Sequence, residues 1–576
     1  MVRAVSIALL ILFCALSVQS APPARAAAFA VDSVLDAVDA AAGDGVCATI
    51  EGDCTLRAAL QETNALPGAD TISLPFGTYE LAIAGPDEDA AATGDLDILD
   101  DVTITGVDAA TTIVDGGGLD RALDIDPLMT GVEVQLVGLT LRNGNAAVGG
   151  GLRNAAMLSI RDSVIASNHA DAGGGINNRN EGTLDLHEVL VDGNSAGTAG
   201  GLQNEGIVTV RSSTFTENSS QDDGGAVINH GTLSATDSAF AGNTSGDNGG
   251  AFWGDGTLSL VDSTLINNTA ADEGGAIVSF GGNVTLTRSA VEGNHAGRLR
   301  GGGLVNFGLS TMTLVDTRVR NNAAATNGGG ILNNGTMTLE RSTIDANTAG
   351  ANGGGIHGDA GSSLSLLNST ISGNLAPAGG GISNGGTLTL AFSTIAFNAG
   401  TGVTITGEAH ANGTIFANNT GANCQGLVQS EGHNLEDTSL CNFSSPGDLS
   451  GVDPQLEPLQ PGLTATHPLG PGSEAIDAGG ADCPATDQRG TARPQGVACD
   501  TGAFEVEQEG PQAGDVNGDG RIDSVDAALI LQHTAGLLDT LAYPAAADVN
   551  HDGRVDSIDA SLVLQFAAGL IDNLPA

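Results

Sequence analysis

The chain has no lysine. All 19 of its basic residues are arginine, set against 68 aspartates and glutamates, for a formal net charge of −49. So acidic a surface repels nucleic acid and anionic membranes, and it suits calcium or a salty medium. Aromatic residues make up only 3% of the 576 positions, which argues against a core filled by bulky rings. The chain is nevertheless 41% hydrophobic, so its 85 glycines do not mark a disordered polymer. That length exceeds one ordinary core, and several units are expected. CxxC and related metal spacings are absent, which leaves zinc without support. The many Ser-Thr pairs repeat with the chain's internal period, so a serine nucleophile has no support.

Long apolar runs are also scarce. The first lies at the N-terminus, where Arg3, an apolar stretch over 4–18 and Ala24-Arg25-Ala26 predict a signal peptide over residues 1–27, with Ser20 as a second possible cleavage point. No later stretch is long and apolar enough to span a bilayer, so no membrane insertion is expected after cleavage. Cleavage removes Cys14 and leaves six cysteines in three local clusters: Cys47 and Cys54, Cys424 and Cys441, Cys483 and Cys499. Export favours disulfides, with nearest-neighbour pairing as the expectation among 15 connectivities.

What is abundant is repetition. Glycine doublets or triplets recur from 149 to 379 at intervals of 24 to 27 residues. Each copy has an apolar residue after the glycines, a TLxL-like alternation, and a second apolar step ending in Asn. Alternation predicts short strands, and a fixed period near 25 predicts a solenoid. The fold class expected is all-β, a right-handed parallel β-helix of about ten coils with three strands per coil, followed by a small all-α calcium-binding module. The asparagines from Asn168 to Asn398 hold one slot, where they are expected to take left-handed turn conformations and to bond along the rod.

The C-terminal module is also written twice. Residues 515–538 and 548–571 match at 16 of 24 positions. Each copy opens with oxygen ligands at the spacing of a calcium loop. The first copy has Asp515, Asn517, Asp519, Asp523 and Asp526, with the carbonyl of Arg521 at position 7. The second has Asp548, Asn550, Asp552, Asp556 and Asp559, with Arg554. Gly520 and Gly553 stand at the sharp turn. Leu529, Leu531 and Leu537, and then Leu562, Leu564 and Leu570, predict a helix leaving each loop, whereas residues 507–514 read as linker, so no helix enters. The pair resembles a type I dockerin. The resemblance implies two bound calcium ions and a cohesin receptor, with Ser524-Val525 and Ser557-Ile558 as the contact pairs.

The flanks of the repeats carry further resemblances. CTLRAALQETNALPGADTISLPFGTY at 54–79 and GDLDI at 94–98 resemble the CSLREA-type N-terminal segment of secreted bacterial β-helix proteins, which implies a helix over 56–65 capping the rod. GHNL at 432–435, THPL at 466–469, AIDAG at 475–479, DQRG at 487–490 and DTGAFE at 500–505 resemble the choice-of-anchor Q domain, with Glu474 where that family usually has proline. The organisation expected is therefore cap and first coils over 28–140, repeats over 141–410, an anchor-Q-like region over 411–506, and the dockerin over 515–576.

Chemistry on the rod is harder to read. The turn before the glycines is acidic in successive copies, and Asp222, Asp247 and Asp272 lie 25 residues apart. Stacked one coil apart, they approach the separation of paired glycosidase carboxylates, about 5–5.5 Å. Beside them, Ile228, Trp253, Val278, Val305 and Leu332 are expected to form an outward apolar stripe. Trp253, the one tryptophan, is the candidate for stacking a sugar ring. A polygalacturonase pattern finds only Asp222-Asp223 and His230-Gly231 at the wrong spacing, and without lysine no Arg-x-Lys. His433 and His467 read as structural. The function expected is a secreted protein joined through cohesin to an extracellular or cell-surface assembly, in polysaccharide binding or catabolism. A glycoside hydrolase or polysaccharide lyase using the coil carboxylates, and a non-catalytic adhesin or structural surface protein, are the alternatives.

Overall fold

The computed structural model describes residues 26–85, 88–129, 131–507 and 512–575. The signal peptide expected over 1–27 thus lies, up to Arg25, outside the described residues, as do residues 508–511 of the linker.

A parallel β-solenoid of about 13 turns fills most of the chain, more than the ten coils that the glycine repeats mark. The extra turns lie before and after those repeats, in coils whose glycine run is broken, as Thr93-Gly94-Asp95 and Gly400-Thr401-Gly402 show. One coil shows the pattern: Thr257–Val261, Thr264–Ile266, Thr269–Ala270 and Ile277–Phe280 each pair in parallel with the next coil and so start four sheets. Among the described residues the sheets hold 16, 16, 9 and 14 strands. Three strands per coil were expected; the segment before the glycines is a fourth, too short to announce itself by alternation.

Alternate side chains of each strand point inward and merge into one apolar column from Phe29 to Phe443. Bulky rings are few, but Phe215, Phe240 and Phe252 stack in it at 5.1 and 4.4 Å between centroids. The asparagine slot is a buried ladder. Asn268 Nδ2 donates to Asn294 Oδ1 at 3.0 Å and to the Phe240 carbonyl at 2.9 Å, and its Oδ1 accepts from the backbone and side-chain nitrogens of Asn243. The same bonds run from Asn168 to Asn419. The left-handed turn falls on the residue before each asparagine, for example Ser167, Glu217 and Asn267. The slot selects Asn for its paired donor and acceptor, not for its backbone.

The N-terminal end of the column is closed by helix α1 (Leu56–Ala65). Thr55 caps it by accepting from the Ala58 N–H, and Leu56 and Leu60 are buried against the first coils. Its buried Arg57 pairs with Asp36 at 2.6 Å and donates to the carbonyls of Gly94 and Asp95. Residues 54–65 and 94–98 are therefore joined by one guanidinium. The coil columns run on to Leu449–Ser450, and the segment after it folds back on the second sheet. Gln488 bonds Thr343 and Thr370, and His467 Nε2 lies 2.8 Å from Ser372 Oγ. Those threonines and Ser372 are buried, whereas equivalent positions in earlier coils are half-exposed. Disulfides join Cys47 to Cys54, Cys424 to Cys441 and Cys483 to Cys499.

Helices α2 (Ser524–Thr534) and α3 (Ser557–Ala567) pack on each other. Their core is small: Val516, Ala527 and Ile530 from one copy meet Val549, Ala560 and Val563 from the other, with Leu541, Ala546 and Ala547 between. The expected helical leucines sit differently. Leu529 and Leu562 pack on this core, whereas Leu531 and Leu564 are exposed on their helices and Leu537 and Leu570 are exposed beyond the helix ends.

Candidate functional site: paired calcium loops and the rod face

Each C-terminal loop is wound around its first aspartate. Asp515 Oδ1 accepts from Gly518 N–H at 2.8 Å, and its Oδ2 accepts from Gly520 N–H at 2.9 Å. Asn517 and Asp519 accept from the N–H groups two residues on. Asp523 caps α2 and Asp526 completes the capping box, while Asp526 Oδ1 reaches back to the Val516 N–H at 3.0 Å. Asp548, Asn550, Asp552, Asp556 and Asp559 repeat most of these bonds around α3, with Asp548 Oδ1 accepting from the Asp552 N–H at 3.1 Å. Gly520 and Gly553 take φ of +78° and +81°. The backbone N–H groups thus orient a ring of carboxylate and amide oxygens in each loop, the hard donor set that calcium takes. The arrangement fits that ion, and Arg521 and Arg554 lie in the same turn.

Ser524, Val525, Ser557 and Ile558 are all exposed at the start of their helices. Val525, Ala528 and Leu531 form an exposed strip on α2, and Ile558, Ser561 and Leu564 form its counterpart on α3. Residues 513–566 match the family model for the dockerin type I domain. The C-terminal module is a dockerin. No curated protein matches the chain. Among solved structures, the pectate lyase Pel9A is similar over 84% of this chain and 97% of its own, at 13% identity and a TM-score of 0.27. The A-module of the Azotobacter vinelandii mannuronan C-5 epimerase AlgE4 is similar over 70% and 99%, at 17% identity and a TM-score of 0.28. Dockerin domains bind calcium generally and imply a cohesin partner.

On the rod the acidic residues do stack. Asp247 N–H donates to the Asp222 carbonyl and Asp272 N–H to that of Asp247. Their side chains have different fates. Asp222 is exposed, Asp247 is half-exposed, and Asp272 is taken by Arg298 at 2.9 Å. The neighbouring Asp223 accepts from Asn248, and burial still holds its carboxyl above the usual range.

The apolar stripe does point outward, but it is covered. Ile228, Val278, Val305 and Leu332 are buried, and the last three form a cluster apart from the main column with Trp253 and Phe307 packed on it. Arg300 accounts for part of the cover. Its guanidinium lies 5.3 Å from the Phe307 centroid and bridges Glu273 at 2.9 Å to Asp359 at 3.3 Å. A hydrogen bond from His357 holds the Asp359 carboxyl down to about 2 against its burial. The 59-residue reach of Arg300 to Asp359 has no local signal in the sequence. Trp253 stays half-buried, edge-on to His230 at 5.8 Å, and His230 Nδ1 meets Asp255 at 2.7 Å.

A third place was not foreseen. The Asp95, Asp97 and Asp124 carboxylates lie within 4.8 Å of one another, all buried. Arg121 bridges Asp95 and Asp124 at 2.8 and 2.9 Å, and Arg153 also pairs with Asp124. The arginines answer the charge of Asp95 and Asp124. Burial, with those two carboxylates alongside, pushes Asp97 up to about 8. GDLDI at 94–98 and its echo ALDID at 122–126 bring the cluster together, with Leu96-Asp97-Ile98 paired against Leu123-Asp124-Ile125 in the 14-stranded sheet.

Proposed function

We propose that this is a secreted protein that a calcium-loaded dockerin fastens through cohesin to an extracellular or cell-surface assembly, where its β-helix handles polysaccharide. The carrying observation is the duplicated loop-and-helix unit with an exposed Ser-Val or Ser-Ile pair at the same place in each copy. Two equivalent faces on one small module allow docking by either copy. Calcium is proposed at both loops, and the flanks of the rod are proposed to be of the CSLREA and choice-of-anchor Q kinds. In support, Arg57 joins the two N-terminal motifs, and Gln488 and His467 fix two of the C-terminal ones to the rod.

Capture by an immobilised type I cohesin, with and without chelator, tests the attachment. Swapping Ser524-Val525 alone for Asp-Asp should leave capture largely intact, and swapping Ser557-Ile558 as well should end it. Capture that survives the double swap, or that ignores chelator, overturns the reading. The catalytic alternative rests on the Asp222, Asp247 and Asp272 column with Trp253 as its sugar platform. Release of reducing or unsaturated sugar by wild type, lost in Asp247→Asn, would establish it.

A further inference from the structure

The first sheet has an outer face unlike the rest of this acidic chain. Over seven consecutive coils, from Thr232–Thr236 to Thr387–Ala391, the first and third residues of each strand point outward while the second and fourth are buried. Those fourteen outward positions are thirteen threonines or serines and Asn283. Thr311-Met312-Thr313 and Thr336-Met337-Thr338 show the pattern. All fourteen are uncharged on a chain of net charge −49, and the half-exposed fifth residues add one charge, Glu340, which pairs with Arg341. The strands pair residue for residue throughout, Thr313 with Thr338 and Thr338 with Ser365. The sheet's register shift comes only later, at Ala411/Asn412. The result is a flat grid of hydroxyls, spaced about 4.8 Å along the rod and roughly 6.6 Å across it.

Packing does not require this composition. The inward residues supply the core, and solvated outer positions of a strand accept charged side chains, as Glu133 and Asp185 show at the first and third places of earlier strands on the same sheet. Threonine adds rigidity: its branched Cβ restricts χ1, so its hydroxyl is largely placed before anything binds, and little side-chain entropy is lost on contact. One edge of the grid has an apolar rim. Phe280 is 62% exposed and packs edge-on against Phe307 at 5.9 Å, and Leu309 is 95% exposed.

We propose that this face adsorbs the ordered surface of a neutral, insoluble polysaccharide. A charge-free hydroxyl grid complements a polymer that itself repeats, bears hydroxyls and has no charge. An anionic glycan would meet the field of the whole chain instead. The flatness suits a surface and not a single bound sugar, and the Phe280 and Phe307 rim offers rings for pyranose faces. The inference rests on the polysaccharide reading above and names the partner and the face. It uses neither Trp253 nor the acidic column.

Depletion of the full-length, calcium-loaded protein by microcrystalline cellulose and by chitin tests it. Wild type should bind at least one of them. Thr285→Glu with Thr338→Glu, two coils apart on exposed positions, should weaken adsorption roughly tenfold by setting unpaired charge against the grid. Thr285→Ser with Thr338→Ser should keep it within about twofold, since the hydroxyls remain. If the glutamates disturb the β-sheet spectrum, Thr285→Val with Thr338→Val removes hydroxyls at equal shape and must still weaken binding. No adsorption of folded wild type to either solid, or adsorption indifferent to both pairs, overturns the proposal. So does ice-crystal shaping by wild type without polysaccharide binding, which would assign the grid to a water lattice. Cohesin capture is measured on the same samples: its loss alone would sink the attachment reading, and its persistence without adsorption would sink only this one.

Discussion

The rod and the dockerin are both built by repetition, yet they close their structures differently. In the rod each coil finishes the one before it: Asn268 is satisfied by Asn243, Asn294 and the Phe240 carbonyl, and its apolar residues join a column running from Phe29 to Phe443. In the dockerin two copies meet once, over nine buried residues, and each loop gathers carboxylates that only its own N–H groups answer. Repetition of neighbours yields a structure complete in protein alone. Repetition of ligand sets yields one that a cation must finish. The sharpest way to break the comparison is to remove that cation. Chelator should abolish the far-ultraviolet helical signal of the dockerin and leave the β-sheet signal of the rod unchanged, and Asp515→Ala with Asp548→Ala should do the same without chelator. Calorimetry should count two calcium ions in wild type and none in the double variant.

The converse perturbation belongs to the rod. Asn268→Ala strands the backbone and side-chain N–H groups of Asn243 and leaves the Phe240 carbonyl without its side-chain donor, all in a buried slot. Unmade buried hydrogen bonds of this kind should cost about 3 kcal/mol. Thermal unfolding of the rod should shift down while calcium binding by the dockerin stays as in wild type. A loss confined to a few tenths of a kcal/mol would mean that water replaces the ladder.

A third test separates the two units by pH. Asp97 in the folded rod holds its proton up to about 8, whereas its ordinary value is 3.8. The fold therefore binds the proton more tightly than the unfolded chain. The contribution of Asp97 is intact below about 3.8 and is lost as pH rises toward 8. With calcium saturating, the rod's melting temperature should fall over that window, and Asp97→Asn should flatten the fall and raise stability at pH 8. An unchanged slope in the variant would assign the pH dependence to other groups.

The repeat period, the apolar alternation and the helix over 56–65 were legible because each is a local pattern. So were the calcium loops, whose ligands are all within twelve residues. The fourth sheet was not, since a two-residue strand has no period. The cover over Val278, Val305 and Leu332 was illegible for a different reason: outward direction follows from alternation, but exposure depends on what reaches across, here Arg300 toward Asp359 in another coil. The cluster of Asp95, Asp97 and Asp124 stayed hidden because residues at least 27 apart in sequence, Asp97 and Asp124, come into a single 4.8 Å neighbourhood through coil stacking. The hydroxyl grid was written in full as TLxL repeats; its uncharged extent means something only once seven strands are seen in register.

The smallest effect is expected inside the dockerin, at the left-handed loop position that the two copies fill with different residues. Position 4 is Gly518 in the first loop and His551 in the second, and both take left-handed φ, +71° and +55°. The first loop requires glycine for space as well as for conformation, because a Cβ on Gly518 would stand 2.3 Å from Tyr543 Cε2. His551 is exposed and meets only the conformational cost. His551→Gly should therefore relieve strain and stabilise the calcium-loaded module by about 0.5 kcal/mol, a gain trimmed by the extra freedom of glycine in the unfolded chain. Gly518→His should act in the opposite sense and more strongly, since Tyr543 must move before the loop can close. Calcium titrations of each loop, with the first aspartate of the other replaced by alanine, would read both changes separately. Equal responses at the two positions would show that Tyr543 yields freely and that the loops are interchangeable in spite of their sequences.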